Sequence, residues 1–373
     1  TARNIFRYKQ RMLMTIFGVA GSVALLFAGR GILSSLSGIA QRQFGEIITY
    51  DAIVVKEAVM TGKEQEALNQ LLGTKEIEHY SDVHSETIAT KIAGVHEEQS
   101  VTVLVGEESE LSRYLQLYDA KTKQAKTLSN DGVFLSKKLA QLLNVHEGET
   151  VRLPIKDGVT KDVVVSGIIE MYAGHFMIMS PKVYETLAQE TPKKNASFVS
   201  FKEKDADSIR KMSAQLLAQD GVKAVVQNTS MIHRIETIVG SLSRVMILLT
   251  IVSVLLAIVI LYNLTTINVA ERIRELSTIK VLGFLNREVT LYIYRETMVL
   301  SLIGIAVGLL LGKVLHRVII EAVAPAFVRF NPQVELDVYI WPCIFIVLIL
   351  AALGILVNHM LKKVDMLEAL KSV

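Results

Sequence analysis

Four long apolar runs constrain this chain more than any other feature. They lie at about Met12–Leu36, Ser241–Asn268, Val289–Val314 and Val338–Leu361. Each supplies the roughly 20 consecutive apolar residues that a helix needs to cross the hydrocarbon of a bilayer. The second is the purest, with no charged residue from Val245 to Ala270. Between the first and second runs lies a charge-bearing block, residues 46–230, about the size of one domain. At 51% hydrophobic and 21% charged residues, the chain is too apolar for an ordinary soluble protein and too charged to lie wholly in lipid. The expected fold is an α-helical membrane protein with four transmembrane helices and an extracytoplasmic α/β (α+β) domain inserted between helices 1 and 2.

The basic residues give an orientation, because Lys and Arg concentrate on the cytoplasmic flanks of spans. They cluster at Arg3, Arg7, Lys9 and Arg11, again at Arg272, Arg274, Lys280, Arg287 and Arg295, and at Lys362, Lys363 and Lys371. Four spans place these three segments on one side, which makes both termini cytoplasmic in a multi-pass protein of a bacterial plasma membrane. The resulting partition is a cytoplasmic amphipathic segment (1–11), a first span with stalk (12–45), the outer domain (46–230), and a stalk with the second span (231–270). A cytoplasmic segment (271–288), the third span (289–314), an outer loop (315–337), the fourth span (338–361) and a cytoplasmic tail (362–373) follow. The first run is too long for a cleavable signal peptide, and the absent initiator Met reads as a piece of a longer chain. Cys343 is the single cysteine, so no internal disulfide forms.

Apolar periodicity extends past the second span: Ile232, Ile235, Val239, Leu242, Met246 and Leu249 recur every three or four residues. This predicts a helical stalk, against the alternative of two ordinary spans with loop linkers. Within the outer domain, strands are expected near 47–59, 100–106, 150–153, 161–171, 177–179, 198–201 and 222–226, with helices near 62–72, 133–144, 181–188 and 205–218.

The segment Glu271–Arg287, reading ERIRELSTIKVLGFLNR, is charged and helix-patterned between two apolar runs. Ile273, Leu276, Ile279 and Leu282 give a partly apolar face, with Arg272, Arg274, Glu275 and Lys280 around it. Gly283 suits a left-handed helix end, and Asn286 is expected to cap the next helix. The pattern fits a handle on which a partner pushes, and equally a helix lying passively on the membrane surface.

ERIRELSTIKVLGFLNREVTLYIYRE resembles the cytoplasmic signature of FtsX-like permeases, the membrane subunits of MacB/LolCDE-type (type VII) ABC transporters. The family's coupling-helix pattern R-E-x7-G falls on Arg274, Glu275 and Gly283. SLIGIAVGLLLG, the tail KKVDMLEALKSV and the opening ARNIFRYKQRMLMTIFGVAG are also similar to the family, the last to the start of the second half of long Gram-positive permeases. The resemblance implies a separate cytoplasmic ABC ATPase docking on Glu271, Arg272, Ile273, Arg274, Glu275, Leu276, Ile279, Lys280, Leu282, Gly283 and Arg287. It also implies a second permease half or subunit. ATP and Mg would be bound by the ATPase, with no cofactor in this chain. Movement would pass through the spans to the outer domain, serving export, extraction or resistance to a lipid, peptide or antibiotic. A non-transporting regulator of a cell-wall hydrolase and a sensor with an external ligand domain remain as alternatives. Expected partners include membrane lipid and an extracytoplasmic protein or peptide, and no nucleic acid.

Gly304, Gly308 and Gly312 form a small-xxx-small row on one face of span three, a pattern that lets helices approach closely in lipid. With Lys313 the row mimics a phosphate loop, but its spacing is one residue short and it lacks the Ser/Thr after Lys. His79, Asp82, His84, Glu86 and His96 show no repeated ligand spacing, and no metal is expected. His175 is read as packed or on the surface. Arg30 is read as snorkelling to the interface. Tyr292, Tyr294, Tyr339 and Trp341 are read as interfacial belts, and Asn263 and Asn268 as candidates for hydrogen bonding between helices.

Overall fold

The computed structural model describes residues 9–92, 95, 97–156, 159–271, 278–279, 282–323, 325–330 and 334–363. In chain order the elements are α1 (Lys9–Leu36), β1 (Ala52–Lys56), α2 (Gly62–Leu72), β2 (Ile77–Thr90), β3 (Gln99–Val105) and α3 (Glu108–Leu111). Next come β4 (Val133–Ser136), α4 (Lys137–Leu143), β5 (Thr150–Lys156), β6 (Val159–Ile169), β7 (His175–Met179) and α5 (Pro181–Ala188). The chain ends with β8 (Ala196–Phe201), α6 (Ala206–Leu217), β9 (Val222–Gln227), α7 (Asn228–Glu271), α8 (Asn286–Val323) and α9 (Leu336–Lys363). Contacts divide the chain into two compact units: 1–37, 240–323 and 332–373, and 38–239 with 324–331.

Among the described residues, the first unit holds four helices long and apolar enough to cross a membrane. They outrun the apolar runs that predict them. The stretch 315–337, expected as a loop, is helical to Val323 and again from Leu336, because a helix continues past the hydrocarbon wherever its backbone bonds stay satisfied. The second run is one unbroken helix of 44 residues, Asn228–Glu271. The extension of span one is broken instead. After Leu36 the backbone turns left-handed at Gly38 (φ 77°), then resumes as one short helical turn at Ile39–Gln41 and a π-type turn at Arg42–Ile47. Glycine enters that conformation without the Cβ penalty of other residues.

Among the described residues, the second unit is built on a nine-stranded sheet in the order β5-β6-β4-β7-β3-β2-β8-β1-β9. One half is a split β-α-β arrangement: β1-α2-β2 and β8-α6-β9 interleave as β2-β8-β1-β9, all antiparallel. Val54, Leu68, Leu72, Val199, Ile209 and Leu216 form its core. Sharp caps set its helices: Thr61 and Glu64 make a reciprocal capping box at α2, and Asp205 accepts from Ser208 N at α6. The other half contains the parallel pairs β3–β7 and β4–β6, around Val103, Leu135, Leu139, Val165 and Met177. The 14-residue β2 joins the halves, pairing with β8 through Val83 and with β3 from His84.

Two local expectations are corrected. Residues 133–136, expected as the start of a helix, are the fully buried strand β4, so the helix begins at Lys137. A run buried on all sides inside a sheet carries no period that separates it from a buried helix. Ile47, expected in the first strand, lies in the π-type turn. Asp82, His84 and Glu86 belong to β2. Asp82 binds Lys56 at 2.8 Å and Ser197, and His84 Nδ1 faces the Lys193 carbonyl at 2.9 Å. His79 is exposed, and His96 lies outside the described residues.

Candidate functional site

Of the segment between α7 and α8, the structure describes Glu271, Thr278, Ile279 and 282–285, followed by the start of α8. Arg272, Ile273, Arg274, Glu275, Leu276 and Lys280 lie outside the described residues. Thr278 and Ile279 are helical, and the turn ends at Leu282. Leu282 N donates to Thr278 O at 3.1 Å, Phe284 N to Ile279 O at 3.5 Å, and Gly283 takes φ 96°. That is a Schellman-type stop, in which a left-handed residue after the cap redirects the backbone. Asn286 is the first residue of α8 rather than its cap. The cap position is Leu285, whose N–H donates to Glu288 Oε2 at 2.9 Å. Glu288 also places negative charge at the positive end of α8. Ile279 packs on the apolar core of the helical unit, whereas Leu282, Phe284 and Leu285 are all more than half exposed.

Further along the chain, α8 runs alongside α1 in register. A Cβ placed on Gly304 would lie 2.8 Å from Val19 Cβ, one on Gly308 2.6 Å from Val23 Cβ, and one on Gly312 2.7 Å from Phe27 Cβ. Residue numbers rise together on both helices in steps of four, so the two run parallel with their i±4 ridges meshed. At the fourth step the small residue changes sides. Gly31 of α1 receives the ring of His316, whose Nε2 lies 3.0 Å from Ser35 Oγ. Phe27 meets the same ring edge-on at 6.4 Å. Close contact of this kind supplies the dispersion energy that holds helices together where lipid gives no hydrophobic drive.

Residues 247–358 match the family model described as FtsX-like permease C-terminal. This region is an FtsX-like permease domain. With four helices long and apolar enough to cross a membrane among the described residues, the chain is a multi-pass membrane protein. No curated protein matches it. Among solved structures, similarity is found to the periplasmic region of MacB from Actinobacillus actinomycetemcomitans, at 12% identity and a TM-score of 0.29, covering 51% of this chain and 94% of that one. The extracellular domain of the noncanonical ABC-type transporter YknZ from Gram-positive bacteria gives 15% identity and a TM-score of 0.27, covering 48% and 98%.

The FtsX-like region takes in most of α7, the intervening turn, α8, the following loop and most of α9. All the residues expected to meet an ATPase fall inside it, as do Gly304, Gly308 and Gly312. Arg287 lies in the first turn of α8. Arg30 is paired rather than free: Nη2 meets Asp337 Oδ2 at 2.8 Å and Nε meets the same oxygen at 3.2 Å. Tyr294 is buried in the helical core and Tyr339 stacks edge-on to Phe27, so these two are packing residues. Trp341 is about half exposed, as an interfacial residue is.

Sequence reasoning missed two features. His316 is one; its signal was its place one i+4 step beyond Gly312. The other lies in the inserted domain, where the segment Glu170–Gly174 is gripped from two sides. Gln43 Oε1 accepts from Tyr172 N at 2.7 Å. From the loop of the FtsX-like region, Arg329 N donates to Tyr172 O and Phe327 O accepts from Gly174 N, both at 2.8 Å. Glu170 accepts from Lys123 Nζ and from Tyr172 Oη at 2.5 Å, with Arg329 Nη1 at 3.6 Å. Burial works to raise the Glu170 carboxyl, but these donors and the Arg329 charge outweigh it and hold it below its ordinary value. Burial, reinforced by that carboxylate, pushes the Tyr172 phenol up to about 12. Nothing in the sequence pairs Glu170 with a residue 159 positions away.

Proposed function

We propose that this chain is the membrane subunit of an ABC transporter, driven by a separate cytoplasmic ATPase that docks on residues 271–287. The observation carrying this reading is the match of 247–358 to the FtsX-like permease family, with that segment between two of its spans. The exposed Leu282, Phe284 and Leu285 support it, because they offer apolar anchors on a turn whose other side is held by Ile279. In this reading Arg272, Arg274, Glu275 and Lys280 supply the charged contacts. ATP and Mg belong to the partner, and a second permease half completes the assembly. Closure of the ATPase pair displaces the 271–287 segment, α7 and α8 carry the displacement, and the inserted domain, on the far side of the membrane, acts on a lipid, peptide or antibiotic. Both termini lie with the ATPase in the cytoplasm of a bacterial cell.

The test is co-purification of the full-length permease with the ATPase subunits of its own cell, comparing wild type with a Glu275→Arg, Leu276→Asp double variant. Retention of an ATPase by wild type and its loss from an equally well-expressed variant supports the coupling role. Equal retention by both removes it.

A further inference from the structure

We infer that α1, α7 and α9 form a groove that holds the acyl chain of a phosphate-headed bilayer lipid, with Arg30 of its lining receiving the phosphate. The groove encloses about 300 Å³, at the small end of ligand sites. Leu26 and Leu33 of α1, Ile251 of α7 and Phe345 of α9 give it apolar walls. Thr250, the polar side chain on the wall, already donates to Met246 O at 2.8 Å, so it asks nothing of an occupant. All of these residues sit on helices that cross a membrane, so the groove opens to hydrocarbon and suits a methylene chain.

Arg30 supplies the second half of the recognition. Arg30 carries five N–H donors in a rigid plane. Two of them are committed to one oxygen of Asp337, which fixes the guanidinium in place and leaves three donors uncommitted to that pair. The Arg30 side chain remains 46% exposed. A planar, fixed guanidinium with free donors is complementary to a phosphate. Trp341 lines the same groove and is half exposed, the placement of an indole at the depth of lipid headgroups. Apolar walls, a phosphate-matching cation and a half-exposed aromatic thus line one groove, and together they match a lipid rather than a soluble anion. This inference stands independently of the ATPase reading.

Trp341 is the only tryptophan of the chain and reports on the groove directly. The full chain would be reconstituted in bilayers of neutral glycosyl diacylglycerol, with a minority of mid-chain-brominated lipid as quencher. Brominated phosphatidylglycerol is expected to quench Trp341 about threefold more effectively than the brominated glycolipid at the same fraction, the order of one partly exposed charged contact. Arg30→Gln and Ile251→Phe, which fills the groove, should each abolish that excess while leaving the baseline quenching by surrounding lipid. Asp337→Asn should keep it, because Arg30 remains. Equal quenching by both lipids in wild type overturns the inference. So does an excess that survives Arg30→Gln or Ile251→Phe, an excess lost in Asp337→Asn, or one removed by soluble glycerol phosphate.

Discussion

Arg329 and Glu170 face each other across 3.6 Å with side chains only 10% and 8% exposed. They join a loop between two membrane helices to the end of a strand in the inserted domain. Removing one member of a buried pair strands the other charge, which costs about 3 kcal/mol or more. Glu170→Gln should therefore destabilise the domain by about that amount and free residues 325–330. Trypsin cleavage after Arg329 in the intact chain should accelerate sharply. Lys123→Gln should do much less, because the Lys123 side chain is 42% exposed and water can replace its contact.

Gly308 offers the tightest approach between α1 and α8, since an added Cβ would stand 2.8 Å from the backbone oxygen of Ala20. A carbonyl cannot swing aside as a side-chain tip can. Gly308→Ala should destabilise the helical unit by about 1–3 kcal/mol, the range for overpacking. Gly21→Ala is the control, because nothing lies within 4 Å of its added Cβ. Denaturation of the purified chain in mixed micelles should shift for the first variant and not for the second.

His175 is 1% exposed, its Nε2 lies 3.1 Å from Gln99 Oε1 and its Nδ1 is buried without a partner. Burial, with the charge of Lys138 adding to it, depresses the imidazole from 6.5 to about 4. The unfolded chain then binds a proton that the folded domain refuses, so stability falls as pH drops from 6.5 towards 4. The loss across that window reaches about 3 kcal/mol. Amide exchange in β3 and β7, corrected for intrinsic rate, should show it, and His175→Phe should flatten the slope.

Asn228, the first residue of α7, is 7% exposed. Its side-chain amide donates to Tyr50 O and its backbone N–H donates to Asp51 O at 2.8 Å. Asn228→Ala leaves a buried carbonyl unpaired, worth about 1–3 kcal/mol. Exchange of the amides in β1 and β9 should quicken, while those of α8 stay unchanged.

The sequence by itself determined the four membrane helices and the place of the inserted domain. Length and unbroken hydropathy are local properties, and no tertiary contact is needed to exclude water from Val245–Ala270. It also determined Gly283 as a helix stop and the glycine row as a packing face, because both follow from the missing Cβ. What it left open is non-local. β4 looked helical because a fully buried strand and a buried helix share the same apolar run. The 14-residue β2 was unread because its two halves bury different faces against different neighbours. Pairing of Arg30 with Asp337, of Gly31 with His316 and of Glu170 with Arg329 depends on which segments the fold brings within a few ångströms. Those distances are set by packing across 159 to 307 residues of chain, where local periodicity carries no information.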